Sequence, residues 1–587
     1  MVYAAGMRRS GCGLADNDFQ AAFDFLCLDW VRKVLERKGL AREALDRFTN
    51  LYSQGISIPV INNKLGPSLE NRRLSLRQGD RPSGIWFCFG IDPLLSYLEK
   101  RLTGILVYSL PVLGPGQDGQ PHQLPHLETR YKVLGYLDDC KPAITTMEEF
   151  HLVDRGCRLF EKASGCKLHR DPSSNKCKFL PLGRWKGTLE QEDIPLPYLK
   201  LTDHLDFLGC KLFANYNATR RENGEILKKK VKDKINKWKS GKFMPLTLRP
   251  WSLNTYCLSK LWYRTACVDL RVGDSNTITS SIKGWLYQDL LIKPQEIMMF
   301  RQVNEGGLAV HNVKVRAMAM LLHTFLSQAI SPAFPASVYY SSLYRWHILE
   351  DRNIPNPGCP PYYSSHFFSI IKEVADNSPL NVAHLSVKQW YRLLLEQGIT
   401  HSSEDPTAPP AIIASKLELS NPELNMASSY TLARKFGLAP EQKDFLFKLL
   451  QSLLPTQERL ARLGKKPSPA CTFCAAQVDN NAHLLTCPQG LEVTGPLTRF
   501  LQAHVESVTP ENIVVLNLPT SDSLELPVAW LVSSCLMMVW QDRLANKVSR
   551  LTSCQARLLV LKHTRWKLYT LHNSAVLLEE ILSLHFN

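Results

Sequence analysis

The sequence predicts an α+β protein, on three observations. Apolar residues recur at helical spacing in several segments: Val31, Val34 and Leu35; Leu45, Phe48 and Tyr52; and Leu227, Val231, Ile235 and Trp238. Other segments are short extended runs that stop at turn residues, Ile56 to Ile61 at Asn62-Asn63 and Arg130 to Leu137 at Asp138-Asp139. The apolar fraction of 44% is that of a chain able to bury cores, and 587 residues are enough for several domains.

In chain order, Asp29 to Lys38 reads as a helix stopped by Gly39, and Ala41 to Tyr52 as a second amphipathic helix. Ile85 to Leu98 is a third, more apolar helix. Gly114 to Pro125, rich in Gly, Pro and Gln, reads as a surface loop. Gly224 to Lys242 is a basic helix. Ile354 to Pro361 and Asp405 to Pro410 read as Pro-rich linkers, and the chain beyond them as largely helical. Neither an internal repeat nor a low-complexity tract is present.

Net charge is +16 with a pI near 9.1, which favours a polyanionic partner, nucleic acid first. Sixteen cysteines are scattered rather than densely framed, and Met1 to Gly13 has no apolar core of a secretory signal. Free or metal-binding thiols inside the cell are therefore expected. Leu526 to Trp540 is the longest apolar stretch. It falls short of the roughly 20 residues that span a bilayer, so no membrane partner is expected.

Five pieces carry the chemistry. Asp18-Phe-Gln-Ala-Ala-Phe-Asp24 comes first, then Arg77-Gln-Gly-Asp-Arg-Pro-Ser83, then Tyr136-Leu-Asp-Asp139. Ser164-Gly-Cys-Lys-Leu168 with Lys176 and Lys178 follows, and Leu205-Asp-Phe-Leu-Gly209 closes the set. Singly, adjacent aspartates are usually a solvated turn. In this order the five resemble motifs A to E of reverse transcriptases, with the closest likeness to those of non-LTR, long interspersed retrotransposons.

The resemblance implies a polymerase palm, an antiparallel sheet with packed helices, followed by a helical thumb. It implies RNA-directed DNA synthesis on an RNA template from a DNA primer with dNTPs, and nuclear residence. Nucleotidyl transfer of that kind uses two divalent ions, and hard Mg²⁺ takes oxygen ligands. By motif match Asp18 and Asp138 would hold the two Mg²⁺ ions, with Asp139 as supporting carboxylate. Phe23 matches the ring that excludes a ribose 2′-hydroxyl, and a core phenylalanine reads equally well there. Gln78 and Gly79 match the template- and nucleotide-binding part of motif B, where Gly admits a close backbone. Lys176 or Lys178 matches the motif D lysine near the pyrophosphate.

Departures from the pattern stand beside the matches. Arg81 interrupts motif B, Gln20 and Ala21 change the middle of motif A, and Leu137 replaces a small residue, placing bulk beside the metal site. Only 17 residues precede Asp18, so a palm without the family's fingers is expected.

Between Lys211 and Pro250 there are twelve Lys or Arg against three Asp or Glu. Together with Leu253 to Tyr263 this stretch resembles the thumb, with its basic face to a phosphate backbone. Glu305-Gly-Gly-Leu308 recurs after such polymerases. Cys471, Cys474, His483 and Cys487 form C-x₂-C-x₈-H-x₃-C, a closed S₃N set suited to structural Zn²⁺. Phe445 to Leu463 before it and Val539-Trp-Gln-Asp-Arg543 after it resemble the zinc-binding module that follows reverse transcriptase.

The expected domains are a palm over 1–215, thumb and connecting helices over 216–350, and linkers with a helical segment over 351–425. A zinc-knuckle module over 426–490 and a helical region over 491–587 complete the chain. The leading reading is a retrotransposon RNA-directed DNA polymerase. The alternative is a non-catalytic nucleic-acid-binding remnant with a structural zinc site. A zinc hydrolase is disfavoured because four protein ligands leave no position for water.

Overall fold

The computed structural model describes residues 10–53, 56–58, 60–62, 64–67, 69–70, 76, 82–115, 121–239, 244–331, 337–358, 363–377, 382–396, 426–434, 438–474, 478–481 and isolated positions from 483 to 544. Over these the chain is α+β. It divides into two compact units, one of Met1–Ile226, Arg264–Arg271 and Met318–Trp390, the other of Leu227–Tyr263, Val272–Ala317 and Tyr391–Asn587.

The first unit opens with β1 (Gly11–Asp16), the two-residue β2 (Phe19–Gln20), α1 (Leu28–Arg37), α2 (Arg42–Ser53) and α3 (Ser83–Arg101). A long hairpin follows, β3 (Ile105–Pro115) and β4 (Pro121–Tyr131), then the short hairpin β5 (Val133–Tyr136) and β6 (Asp139–Ile144). Next come α4 (Met147–Ser164), β7 (Lys167–Leu168), β8 (Lys178–Gly183), β9 (Lys200–Leu201), β10 (His204–Phe207) and β11 (Cys210–Phe213). The central sheet has the order β9-β8-β1-β6-β5. Its pairs are antiparallel except β8 with β9, so one parallel edge is added to the antiparallel sheet the sequence predicts.

Side chains alternate across a strand, so a sheet buried on both faces needs apolar residues at nearly every position. In β1, Cys12 and Leu14 join one cluster with Ile105, Leu180 and Leu205, while Ala15 joins the other. That second, larger cluster receives α3 through Phe87, Ile91, Leu94 and Leu98, spaced at the helical period. It receives α4 through Phe150, Val153, Cys157 and Phe160. The helices predicted over 29–38 and 41–52 are α1 and α2, with Leu45, Phe48 and Tyr52 buried as expected.

The predicted Gly114–Pro125 loop is a correction. Pairing continues to Gly114 with His122 and Pro115 with Pro121, leaving 116–120 outside the described residues. Proline is tolerated at a ladder's end, where its missing N–H removes no bond, so composition alone placed the loop boundary too early. The extended run over 56–61 is likewise two short strands, Ile56–Ser57 and Val60–Ile61. Asp405 to Pro410 lies outside the described residues.

In the second unit the apolar stripe of α5 (Tyr216–Lys239) is buried at Leu227, Val231 and Ile235. The helix begins eight residues before Gly224, because Asn215 Oδ1 accepts from the Asn217 N–H at 2.8 Å and caps an earlier start. Asp444 ties a remote segment in, accepting from the N–H groups of Leu246 and Thr247 at 2.6 and 2.8 Å. Arg434 Nη1 donates to the Thr247 carbonyl at 3.2 Å. The Glu305-Gly-Gly-Leu308 peptide turns back on its own chain: Leu308 N–H donates to Met298 O and Val310 N–H to Met299 O.

A Cβ at Gly307 would lie 2.1 Å from the Arg301 carbonyl oxygen, a clash with backbone that no rotamer change relieves. Gly307→Ala should cost about 1–3 kcal/mol. Gly273→Ala, where a Cβ meets nothing within 4 Å, should cost nothing or stabilise by under about 1 kcal/mol. Urea denaturation of the two variants checks the contrast.

Candidate functional sites: a carboxylate cluster and a Cys₃His centre

β1 and β6 are neighbours, and an isolated bridge between Asn17 and Cys140 extends their pairing one step beyond β1. Asp18 follows that bridge directly. On the other side, Tyr136 pairs with Asp139 across a two-residue turn, Leu137-Asp138. The sheet therefore delivers Asp18, Asp138 and Asp139 to one end of two adjacent strands. The turn needs Leu137 at φ 54°, a left-handed conformation that costs a branched residue about 1–2 kcal/mol. The Leu137 side chain packs on the larger core cluster, where a Cβ on Gly84 of α3 would lie 3.9 Å from it, so its bulk is turned to the core.

The electrostatics of the end are mixed. Burial pushes the Asp138 carboxyl above the usual carboxylate range, and Asp139 and Asp18 push it the same way. Asp18 faces the Lys176 ammonium at 3.9 Å and the His169 ring, whose Nε2 lies 3.8 Å away. Lys178 instead lies 3.6 Å from Asp206. Lys176 is therefore the lysine beside Asp18.

Sequence reasoning missed a second layer. Lys141 is 2% exposed, with its ammonium 2.5 Å from Asp16 and 3.4 Å from Asp139. Burial raises the Asp16 carboxyl, outweighing the lowering by Lys141. The only local hint is that Lys141 is the single charge in the run Cys140 to Ile144, which names no partner for it.

Phe23 is half-buried, packs against the larger core cluster and stacks on Phe87 with ring centroids 4.7 Å apart. Gln78 and Gly79 lie outside the described residues. Ser164 to Leu168 forms the end of α4, capped by Gly165 at φ 80°, and β7, which pairs with β2 beside Asp18. Leu205 to Gly209 forms β10 and a turn with Leu208 and Gly209 both at positive φ.

Among the described residues, the one group of three or more His, Cys, Asp or Glu placed to hold a metal ion is Cys471, Cys474, His483 and Cys487. Their ligand atoms lie within 4.8 Å of one another, and Cys474 Sγ is 3.1 Å from His483 Nε2. Tetrahedral Zn²⁺ with Zn–S of ~2.3 Å places ligand atoms roughly 3.5 Å apart, so the set fits zinc. Cys487 N–H donates to His483 O at 2.9 Å, the helical turn that puts both on one face. Asn480 Oδ1 accepts from His483 N–H at 2.8 Å and caps that turn.

The knuckle is anchored at its base. Asp479 N–H donates to Pro469 O at 2.8 Å, and the Asp479 carboxylate accepts from Gln457 N–H at 3.2 Å. That bond meets the first N–H of the helix Gln457–Arg462, which Thr456 also caps. The Leu454-Pro-Thr-Gln-Glu-Arg-Leu460 peptide thus serves to seat the metal loop on a helix start.

No protein-family model matches the chain. A Xenopus laevis protein, "Transposon TX1 uncharacterized 149 kDa protein", is 23% identical over 267 residues, 44% of this chain. The chain spans 18% of that relative's length. It is thus a distant relative of a transposon protein, and no helix among the described residues is long and apolar enough to cross a membrane.

Two outcomes check the geometry. Lys141→Met leaves Asp16 and Asp139 uncompensated and should cost about 3 kcal/mol, near the low end for breaking a buried pair. Adding Asp16→Asn should restore most of the loss in urea denaturation. Metal analysis should find near-stoichiometric zinc, lost in Cys474→Ser/His483→Ala.

Proposed function

We propose that the chain is the polymerase part of a non-LTR retrotransposon protein, an RNA-directed DNA polymerase that extends a DNA primer on RNA with dNTPs and Mg²⁺. The observation that carries this reading is the placement of Asp18 and Asp138 at one end of adjacent strands, beside Lys176. A carboxylate whose charge is disfavoured by burial and by neighbouring carboxylates, as at Asp138, is suited to a divalent cation, and Mg²⁺ is commonly held by one or two carboxylates plus substrate phosphates.

Asp18 and Asp138 would hold the ions, whose chemistry is to acidify the primer 3′-hydroxyl and to neutralise the departing pyrophosphate. Lys176 is placed to meet the triphosphate once Asp18 turns to metal. Asp139 supports from behind, its orientation fixed by Lys141. The stack of Phe23 on Phe87 fixes the ring that selects against a ribose 2′-hydroxyl.

A second reading, a nucleic-acid-binding protein of the same descent without polymerase activity, is favoured by two observations. Asp139 is already neutralised by the chain's own ammonium, and the three aspartates do not gather as a ligand set among the described residues.

Primer extension on an RNA template, wild type beside Asp138→Asn, separates the two. Extension by the wild type should fall by at least about 10²-fold in the variant, as for loss of a group acting in the transition state. A folded, RNA-binding wild type that does not extend would establish the second reading instead.

A further inference from the structure

One feature of the second unit is used by neither the carboxylates nor the zinc centre. The chain from Arg249 to Thr265 is a helix interrupted by a π-helical segment at Leu253–Cys257. π-segments are uncommon and often mark functional positions. Here the buried side is complete, with Ser252, Leu253, Cys257, Leu258 and Leu261 all at 0% exposure. The opposite side is aromatic and in water: Trp251 is 59%, Tyr256 43% and Tyr263 53% exposed.

These rings are organised. Trp251 meets Tyr256 edge-on with centroids 5.4 Å apart, and Trp238 of α5 lies 5.5 Å from the same Tyr256 ring. Burying large aromatic surface is favourable by a few kcal/mol per ring, so the exposed Trp251 and Tyr256 rings together offer a docking surface. Trp238 immediately precedes the exposed Lys239 at the end of α5. Lys260 is exposed on the aromatic helix itself.

Rings offering π-faces beside lysines suit a strand whose bases are unpaired and whose phosphates run alongside. A duplex, with its bases already stacked on each other, could use the lysines but not the rings. Exposed hydroxyls at Thr255 and Ser259 lie on the helix between the rings and can bond a ribose 2′-hydroxyl, which selects RNA over DNA.

We propose that Trp251 and Tyr256, with Trp238 behind them, form a stacking platform for unpaired RNA, and that Lys239 and Lys260 hold its phosphates. The platform deepens the nucleic-acid reading above but does not depend on polymerisation, so it stands or falls separately from primer extension.

The test is titration of the full chain with a 12-nucleotide oligouridylate at low salt, followed by tryptophan fluorescence and by anisotropy of labelled RNA. Wild type should show quenching on binding. Trp251→Ala/Tyr256→Ala, both exposed positions, should weaken binding about 10- to 100-fold, the range for losing one or two base–aromatic stacks. Trp251→Phe/Tyr256→Phe should restore it. Lys239→Ala/Lys260→Ala should flatten the salt dependence while quenching persists at saturation.

Unchanged affinity in the double alanine variant, with its circular dichroism intact, would overturn the platform. Equal affinity for the RNA and for a 12-base-pair duplex would overturn it too, since the rings would then contribute nothing. Equal affinity for oligodeoxyuridylate would overturn the assignment to RNA. A failed primer extension alongside positive quenching would leave the platform standing and remove only the polymerase reading.

Discussion

The ammonium of Lys141 fixes the centre of the first unit. Taking a charge out of water costs several kcal/mol, and the group is tolerated at 2% exposure only because compensation surrounds it. Asp16 supplies it from β1 and Asp139 from its own strand, with the Phe207 ring face 5.3 Å away. Asp16 can reach Lys141 only if β1 lies beside β6 in the observed register. A one-residue slip of β1 would turn Asp16 to the other face and strand the ammonium. The pair therefore acts against misregistered sheets as much as it stabilises the correct one. The same register carries Asn17 to Cys140 and so brings Asp18 to the Leu137-Asp138 turn.

That dependence explains what could be read from the sequence and what could not. α1, α2 and α3 were legible because their apolar spacing is local, and so was the end of the extended run over 130–137, although the turn closes one residue earlier, at Leu137-Asp138. The Cys₃His set was legible because metal geometry constrains spacing within seventeen residues. The Lys141–Asp16 pair was not, since 125 residues separate its members and a lone strand lysine ordinarily faces water. Likewise the choice between Lys176 and Lys178 depends on where the chain enters β8. In three dimensions one lies by Asp18 and the other by Asp206.

The parts that misled were those where composition stood in for pairing. Gly, Pro and Gln suggested a loop over 114–125, yet backbone pairing on the opposite strand continues through Gly114 and Pro115. Leu137 looked like an obstruction among carboxylates, but the hairpin's left-handed turn sends its side chain to the core. In both cases the sequence names the residue correctly and the backbone decides where it points.

Net charge illustrates the same division between amount and placement. The lysine of the first unit on which the sheet depends, Lys141, does not face a partner at all: it is buried against Asp16 and Asp139. Lys239 and Lys260 in the second unit are in water, near rings that also face water. One residue type thus does two kinds of work, restraining a carboxylate cluster that would otherwise repel itself and presenting positive charge outward. An overall charge of +16 cannot distinguish these. The distinction follows from burial: an ammonium out of water must be neutralised from within, and only one left in water remains available to phosphate.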